Sequence, residues 1–213
     1  MSGNVEKLRE RITHLQDQLE AEFEKRRDAA RYRFENNRIV WDEGVKRGHR
    51  AFKAHLGPFL VKSPPRHLLT APVIYSLIIP FALLDAFVST YQALCFPAYG
   101  IPKVRRGDYI RIDRHHLAYL NSVQKLNCVY CGYVNGLIAY VAEIAGRTEA
   151  YWCPIKHAAR VAGRHRHYGG FMDYGDGETF QEGLEIARRR IRGTEAGRQA
   201  SATAKPDDNV DLG

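Results

Sequence analysis

Three cysteines and a histidine carry the chemistry this sequence can offer. Cys128 and Cys131 stand in N-C-V-Y-C-G-Y-V-N-G; after a helix-length spacer, Cys153 and His157 follow in Y-W-C-P-I-K-H. Thiolate sulfur and imidazole nitrogen are the donors that zinc and iron accept, at about 2.0 to 2.3 Å, and two thiolates separated by two residues reach one ion where the chain turns between them. The spacing predicts a structural centre in which Cys128, Cys131, Cys153 and His157 hold one Zn or Fe ion, with Cys95 as the alternative fourth ligand. In this reading Gly132 and Asn135-Gly136 are turn residues. The same thiols admit a second chemistry. Cys128 or Cys131 near a helix N-terminus would be activated for exchange with a disulfide or with Cys153. Thioredoxin-type pairs follow a strand, however, and no strand pattern precedes Asn127.

The run from Cys128 to His157 resembles known modules. Cys-x-x-Cys-Gly is similar to the knuckle of zinc ribbons and rubredoxin-type iron sites, and Cys153-Pro154 to the second knuckle of the latter, except that Lys156 and His157 stand where rubredoxins place another cysteine. The longer runs L-N-C-V-Y-C-G-Y-V-N-G and R-T-E-A-Y-W-C-P-I-K-H-A resemble a family of uncharacterised bacterial membrane-anchored proteins, over roughly residues 95 to 176. That resemblance implies a membrane anchor and brings no activity with it.

Other titratable residues give an enzyme little support. Glu143 and Glu149 could act as general acids beside a metal, but no phosphate-binding Gly loop, nucleophile elbow or dinucleotide fingerprint accompanies them. In Arg164-His165-Arg166-His167, the two histidines face one way only on a strand. With no thiol or carboxylate close in sequence, the run reads as a solvated basic loop; the alternative is a second metal position or a phosphate contact.

The elements that must position these residues point to an all-α chain. Its 213 residues carry a formal charge of +8 and a pI near 9.4, which suits a negatively charged partner. Val5, Leu8, Ile12, Leu15 and Leu19 are spaced 3, 4, 3, 4, a coiled-coil seam of two heptads that slips where Phe23, Ala30 and Phe34 restart it. An amphipathic helix over residues 1–40, continuous through about Asn37, is therefore expected, either joining copies of the chain or packing on its own domain. Residues 41–66 mix Trp41, Phe52, Phe59 and Leu60 with Lys46, Arg47, Arg50, Lys53, Lys62 and Arg66, as an interfacial segment would.

Residues 67–102 form the expected membrane segment. Between His67 and Leu84 there is no charged residue, and after Asp85 none until Lys103. The stretch is long enough for one crossing, although Pro80 removes a helical hydrogen bond and Asp85 places a carboxylate where it is costly unless neutral, paired or facing water. Basic residues on both flanks, Lys62 and Arg66 before and Lys103, Arg105, Arg106 and Arg111 after, leave two arrangements open. One is a single span; the other is a re-entrant hairpin bent near Pro80 with both ends cytoplasmic. These flanking charges favour anionic lipid over nucleic acid, because they bracket an apolar stretch and form no stripe with base-reading side chains.

Residues 103–193 then make a cytoplasmic Cys/His domain, with a helix capped by Asp113, a second over Leu137 to Gly146, and a last from Glu178 to Arg192. The polar tail 194–213 reads as disordered. The charged N-terminus predicts no signal peptide, and the free-thiol spacing predicts a reducing compartment. The whole reads as a protein of the bacterial inner membrane with an unidentified protein partner. Its function is that of a metal-centred accessory, electron-transfer or structural component, with a thiol redox protein and an oligomeric scaffold without chemistry as alternatives.

Overall fold

A computed structural model describes residues 2–29, 32–35, 38–41, 43–53 and 55–203. The chain is all-α, as its patterning predicts, apart from one short hairpin. In order stand α1 (Ser2–Ala29), β1 (Tyr32–Glu35), β2 (Arg38–Trp41), α2 (Glu43–Ala51), α3 (Leu56–Lys62), α4 (Pro65–Ser76), α5 (Ile78–Tyr99), α6 (Arg106–Tyr109), α7 (Ser122–Trp152) and α8 (Phe180–Thr203). Two compact units result, one from Met1–Ser63 with Ile112–Val129 and the other from Pro64–Arg111 with Tyr130–Gly213. The expectations for the side chains of Val5, Ala30, Phe34, Trp41, Lys46 and Arg50, and for the tail beyond Thr203, lie outside the described residues.

In the first unit, α1 presents the predicted seam outward: Leu8, Ile12, Leu15 and Leu19 are 55 to 59% exposed. Among the described residues none covers them. The helix stops at Ala29, short of the expected Asn37, because Tyr-Arg-Phe-Glu and Arg-Ile-Val-Trp pair instead as an antiparallel hairpin, Tyr32 opposite Trp41 and Glu35 opposite Arg38. Aromatic and β-branched residues favour that extended pairing over a helix. Further on, Asp113 precedes only a 3-10 turn, and the cap expected of it belongs to Asn121. The Asn121 side-chain oxygen accepts from the Gln124 amide at 2.9 Å, and the Gln124 side chain accepts from the Asn121 amide at 3.0 Å. This reciprocal pair is a capping box and satisfies two backbone donors at the start of α7.

The second unit holds the core, formed by Phe96, Ile101, Val104, Leu137, Tyr140, Ile144, Ala150, Tyr168, Phe171 and Ile191. Pro80 lacks the amide that would bond the Ser76 carbonyl, and the helix breaks there into α4 and α5. Leu77 nonetheless keeps right-handed helical angles, φ −63° and ψ −13°, and its amide bonds the Ile74 carbonyl at 3.3 Å. The break is a kink and not the reversal a tight hairpin needs. At the far end Gly100 turns the chain with φ +65°, and the Ile101 amide reaches back to the Phe96 carbonyl at 2.8 Å. Buried Ile101 and Phe96 seal this Schellman closure, whose positive φ costs a side-chain residue more than glycine.

The run 127–152 is one helix, not two helices joined by a turn. Gly132 and Gly136 are buried inside α7. A Cβ on Gly136 would sit 2.6 Å from the Tyr109 carbonyl oxygen and 2.8 Å from Ile110 Cα. The glycine therefore admits a neighbouring backbone and does not end the helix.

Gly136→Ala should destabilise the unit although alanine is the better helix former. Overpacking costs about 1 to 3 kcal/mol, against a propensity gain of about 1 kcal/mol. Thermal unfolding should show a midpoint lower by a few degrees, while Gly107→Ala, whose Cβ meets nothing within 4 Å, should leave it in place.

Candidate functional site

Along α5 Asp85, Ser89 and Gln92 form one stripe, and it faces inward. Asp85 accepts from Arg106 Nη2 at 2.6 Å and from Arg106 Nε at 3.2 Å, from Tyr133 Oη at 3.0 Å and from Ser89 Oγ at 3.2 Å. Two turns on, Gln92 accepts from the Val104 amide at 2.9 Å and donates to the Val104 carbonyl and the Tyr140 hydroxyl. Tyr91 Oη lies 3.1 Å from Thr148 Oγ1. The carboxylate that looked costly in the sequence is thus paired, and its side chain is only 14% exposed. Opposite this stripe Leu83, Phe87, Thr90 and Leu94 point outward, with Phe87 73% and Leu94 70% exposed.

A second ionic cluster locks α7 to the loop after it. Glu143, 5% exposed, receives Arg147 Nε at 2.8 Å, His167 Nε2 at 3.1 Å and a guanidinium nitrogen of Arg166, all on the same carboxylate oxygen. Arg147 also donates to the Pro102 carbonyl at 2.7 Å. His165 Nε2 meets Glu149 Oε2 at 2.8 Å, and its ring lies against Gly146, where a Cβ would approach within 2.8 Å. The histidine run is therefore not a solvated loop. Its partners are carboxylates about 20 residues away in sequence, a pairing no local pattern announces. Through that one oxygen Glu143 joins α7 to the loop.

The loop from Cys153 to Met172 is closed at its base. Met172 bonds the residues on either side of Ile155: the Lys156 amide donates to the Met172 carbonyl and the Met172 amide to the Pro154 carbonyl, each at 2.8 Å. Lys156 Nζ lies 2.6 Å from Asp173, and that bond holds the Asp173 carboxyl below its ordinary pKa. The His157 amide donates to the Tyr168 hydroxyl at 2.8 Å, and the two rings stack at 5.8 Å.

The expected four-ligand centre is not assembled. Cys131 lies in α7 and Cys153 directly after its last residue, so 22 residues at 1.5 Å each put them about 33 Å apart along one helix. Cys128 sits in the same helix three residues before Cys131, and mid-helix amides bond carbonyls and cannot point at either sulfur. Cys95 lies in α5, near the end of the apolar stretch, and His157 is engaged with Tyr168. All four thiols are free, and Cys131 and Cys153 are exposed. Among the described residues no group of three or more His, Cys, Asp or Glu side chains is placed to hold one metal ion. The spacing argument required a turn after Cys131, where the chain continues as helix.

The arginines of α8 were not legible as site residues. Arg188 Nε donates to the Tyr151 carbonyl at 3.0 Å and Arg192 Nη2 to the Tyr99 carbonyl at 3.1 Å. Each thus satisfies an orphan carbonyl at the C-terminus of α7 or α5, where the helix dipole favours a cation. Arg188 also stacks on the Tyr151 ring at 4.7 Å.

Comparison with family models, curated proteins and solved structures found no match for this chain. Two segments among the described residues are long and apolar enough to cross a membrane, Pro65–Tyr99 and Ser122–Trp152. No residue in the apolar window of the first is buried, against 28% of the second.

Glu143→Gln leaves the buried Arg147 without its counter-charge and should cost about 3 to 5 kcal/mol of stability, the range for breaking a buried pair from one side. Denaturant unfolding checks this, and Glu185→Gln, whose exposed carboxylate pairs with Arg188, should cost under about 1 kcal/mol. In detergent, Cys131 and Cys153 should react with maleimide in the native protein at a rate unchanged by a metal chelator. Faster labelling after chelation would restore the metal centre.

Proposed function

We propose that this chain is an oligomeric, membrane-anchored scaffold, held to an anionic bilayer by α4 and α5 and joined to further copies through α1. The observation that carries the reading is the inverted polarity of α5. In a water-soluble helix the polar residues face solvent and the apolar stripe faces the core. Here Asp85, Ser89 and Gln92 face protein while Leu83, Phe87 and Leu94 face out. That arrangement suits a surround that cannot hydrogen-bond. Around α4 the exposure continues through Leu68, Leu69, Val73 and Ile74, large apolar side chains left open to the surround.

Joining of copies rests on the seam of Leu8, Ile12, Leu15 and Leu19, which keeps 3, 4 spacing and has no cover in its own unit. A scaffold without chemistry accords with the placement of Glu143, Glu149, His165 and His167, each engaged in packing one element to another.

Expressed in bacteria, the full chain should stay in the membrane pellet after an alkaline carbonate wash and enter solution only with detergent; recovery in the wash would end the anchor reading. Light scattering in detergent should give a multiple of the chain mass. The double variant Ile12→Lys, Leu15→Lys should reduce that mass toward one copy, and an unchanged mass would remove α1 from the assembly.

A further inference from the structure

We infer that α4 and α5 lie on one side of the bilayer, with the stripe Leu83, Phe87, Thr90 and Leu94 resting side-on against an anionic lipid surface, and that α7 does not cross despite its length and apolarity. This rests on the membrane anchor proposed above and goes on to say how the anchor is seated.

Three observations carry it. The first is direction. Contacts between α5 and α7 advance together along both chains: Asp85 with Tyr133, Gln92 with Tyr140, Tyr91 with Thr148, Tyr99 with Trp152. The helices are parallel, so two crossings would oblige the connection to cross as well. The second is the nature of that connection. From Pro102 to Ile110 it runs back along both helices, Pro102 at Arg147, Val104 at Gln92, Arg106 at Asp85 and Tyr109 at Gly136. Five of its nine residues lie outside the short α6, and it exposes Lys103, Arg105, Arg106 and Asp108. Hydrocarbon accepts neither lipid-exposed irregular backbone nor a row of charges, so the depth range of α5 and α7 cannot be the bilayer core.

The third observation concerns the midpoint of the uncharged stretch. Tyr130 Oη donates to the Ile74 carbonyl at 2.9 Å, and the Tyr75 and Tyr130 rings meet edge to face at 5.8 Å. A segment crossing alone would have lipid around its centre; this one has the start of the second unit's part of α7. Seating on one surface also accounts for the basic residues at both ends, Arg66 on one side and Lys103, Arg105 and Arg111 on the other, since cations gather on the cytoplasmic face and meet anionic headgroups there. Charge at the rim and an uncharged stripe between are the features of a helix embedded in the plane of the interface.

The test uses the full chain with its four cysteines replaced by serine and one cysteine returned, at His67 or at Gly107. Both positions are exposed, and a Cβ at Gly107 meets nothing within 4 Å. An impermeant maleimide should label His67→Cys and Gly107→Cys in inverted membrane vesicles and neither in intact spheroplasts. Labelling of the two from opposite sides, in protein that survives the carbonate wash, would overturn the one-sided seating while leaving the anchor intact; loss in the wash is the separate failure of the anchor itself. A second measurement keeps the native cysteines. In vesicles containing phosphatidylglycerol, Leu94→Trp in a Trp41→Phe, Trp152→Phe background should lose most of its emission to lipids brominated near the headgroup. Emission that bromine leaves untouched would mean that another copy or another protein covers this stripe, and the lipid contact would be withdrawn.

Discussion

Two parallel helices cannot be joined by a short turn, and much of this structure follows from that constraint. Once α5 and α7 pair in the same direction, the chain must return the full length of the pair before α7 begins, and the return has to be fastened. The polar stripe of α5 does the fastening. Asp85 takes Arg106, Gln92 takes both backbone groups of Val104, and Ser89 supports the carboxylate from one turn on. An apolar α5 would pack α7 as well but would leave the buried Val104 amide without its acceptor, at a cost of about 1 to 3 kcal/mol. Gly136 belongs to the same constraint, since only a residue without a side chain lets the returning strand of backbone pass so close to α7.

The ionic cluster at Glu143 fixes the next element in the same manner. Burying a carboxylate with Arg147 is weak evidence of added stability, because desolvation offsets most of the attraction. Its use here is in specifying one position for the loop: Arg166 and His167 meet Glu143 while His165 meets Glu149, and a shift of one residue would leave a buried charge without a partner. The closed base at Lys156 and Met172 holds the same loop from its other end.

Part of this was legible from residues alone. The 3, 4 spacing from Leu8 to Leu19 announces α1, and the uncharged run from His67 announces the apolar helices, because periodicity and composition act locally. Asp85 was recognisable as a group needing a partner, although Arg106 as that partner was not. The misreadings share one cause. Gly132 and Gly136 look like turn residues in the sequence, and a C-x-x-C in a turn looks like half a metal site. Yet Val134, Leu137, Tyr140 and Ile144 keep one helical face through the same region, and no proline interrupts it. The asparagine and glutamine at 121 and 124 carry the signature of a helix start, which Asp113 carries only weakly. What no local reading could supply are the pairings over long separations: Glu143 with the histidine run, and Arg188 and Arg192 with distant carbonyls.

Those two arginines bear on how the protein is made. The C-terminal carbonyls of α5 and α7 find their charged partners in α8, the last element described. A ribosome releases α5 and the whole of α7 before either arginine has been polymerised, and during that interval two helix ends with the same sign of dipole lie beside one another unclasped. Completion of the bundle is thereby tied to synthesis of α8, and an interrupted translation product ending before residue 188 would carry both ends unfinished.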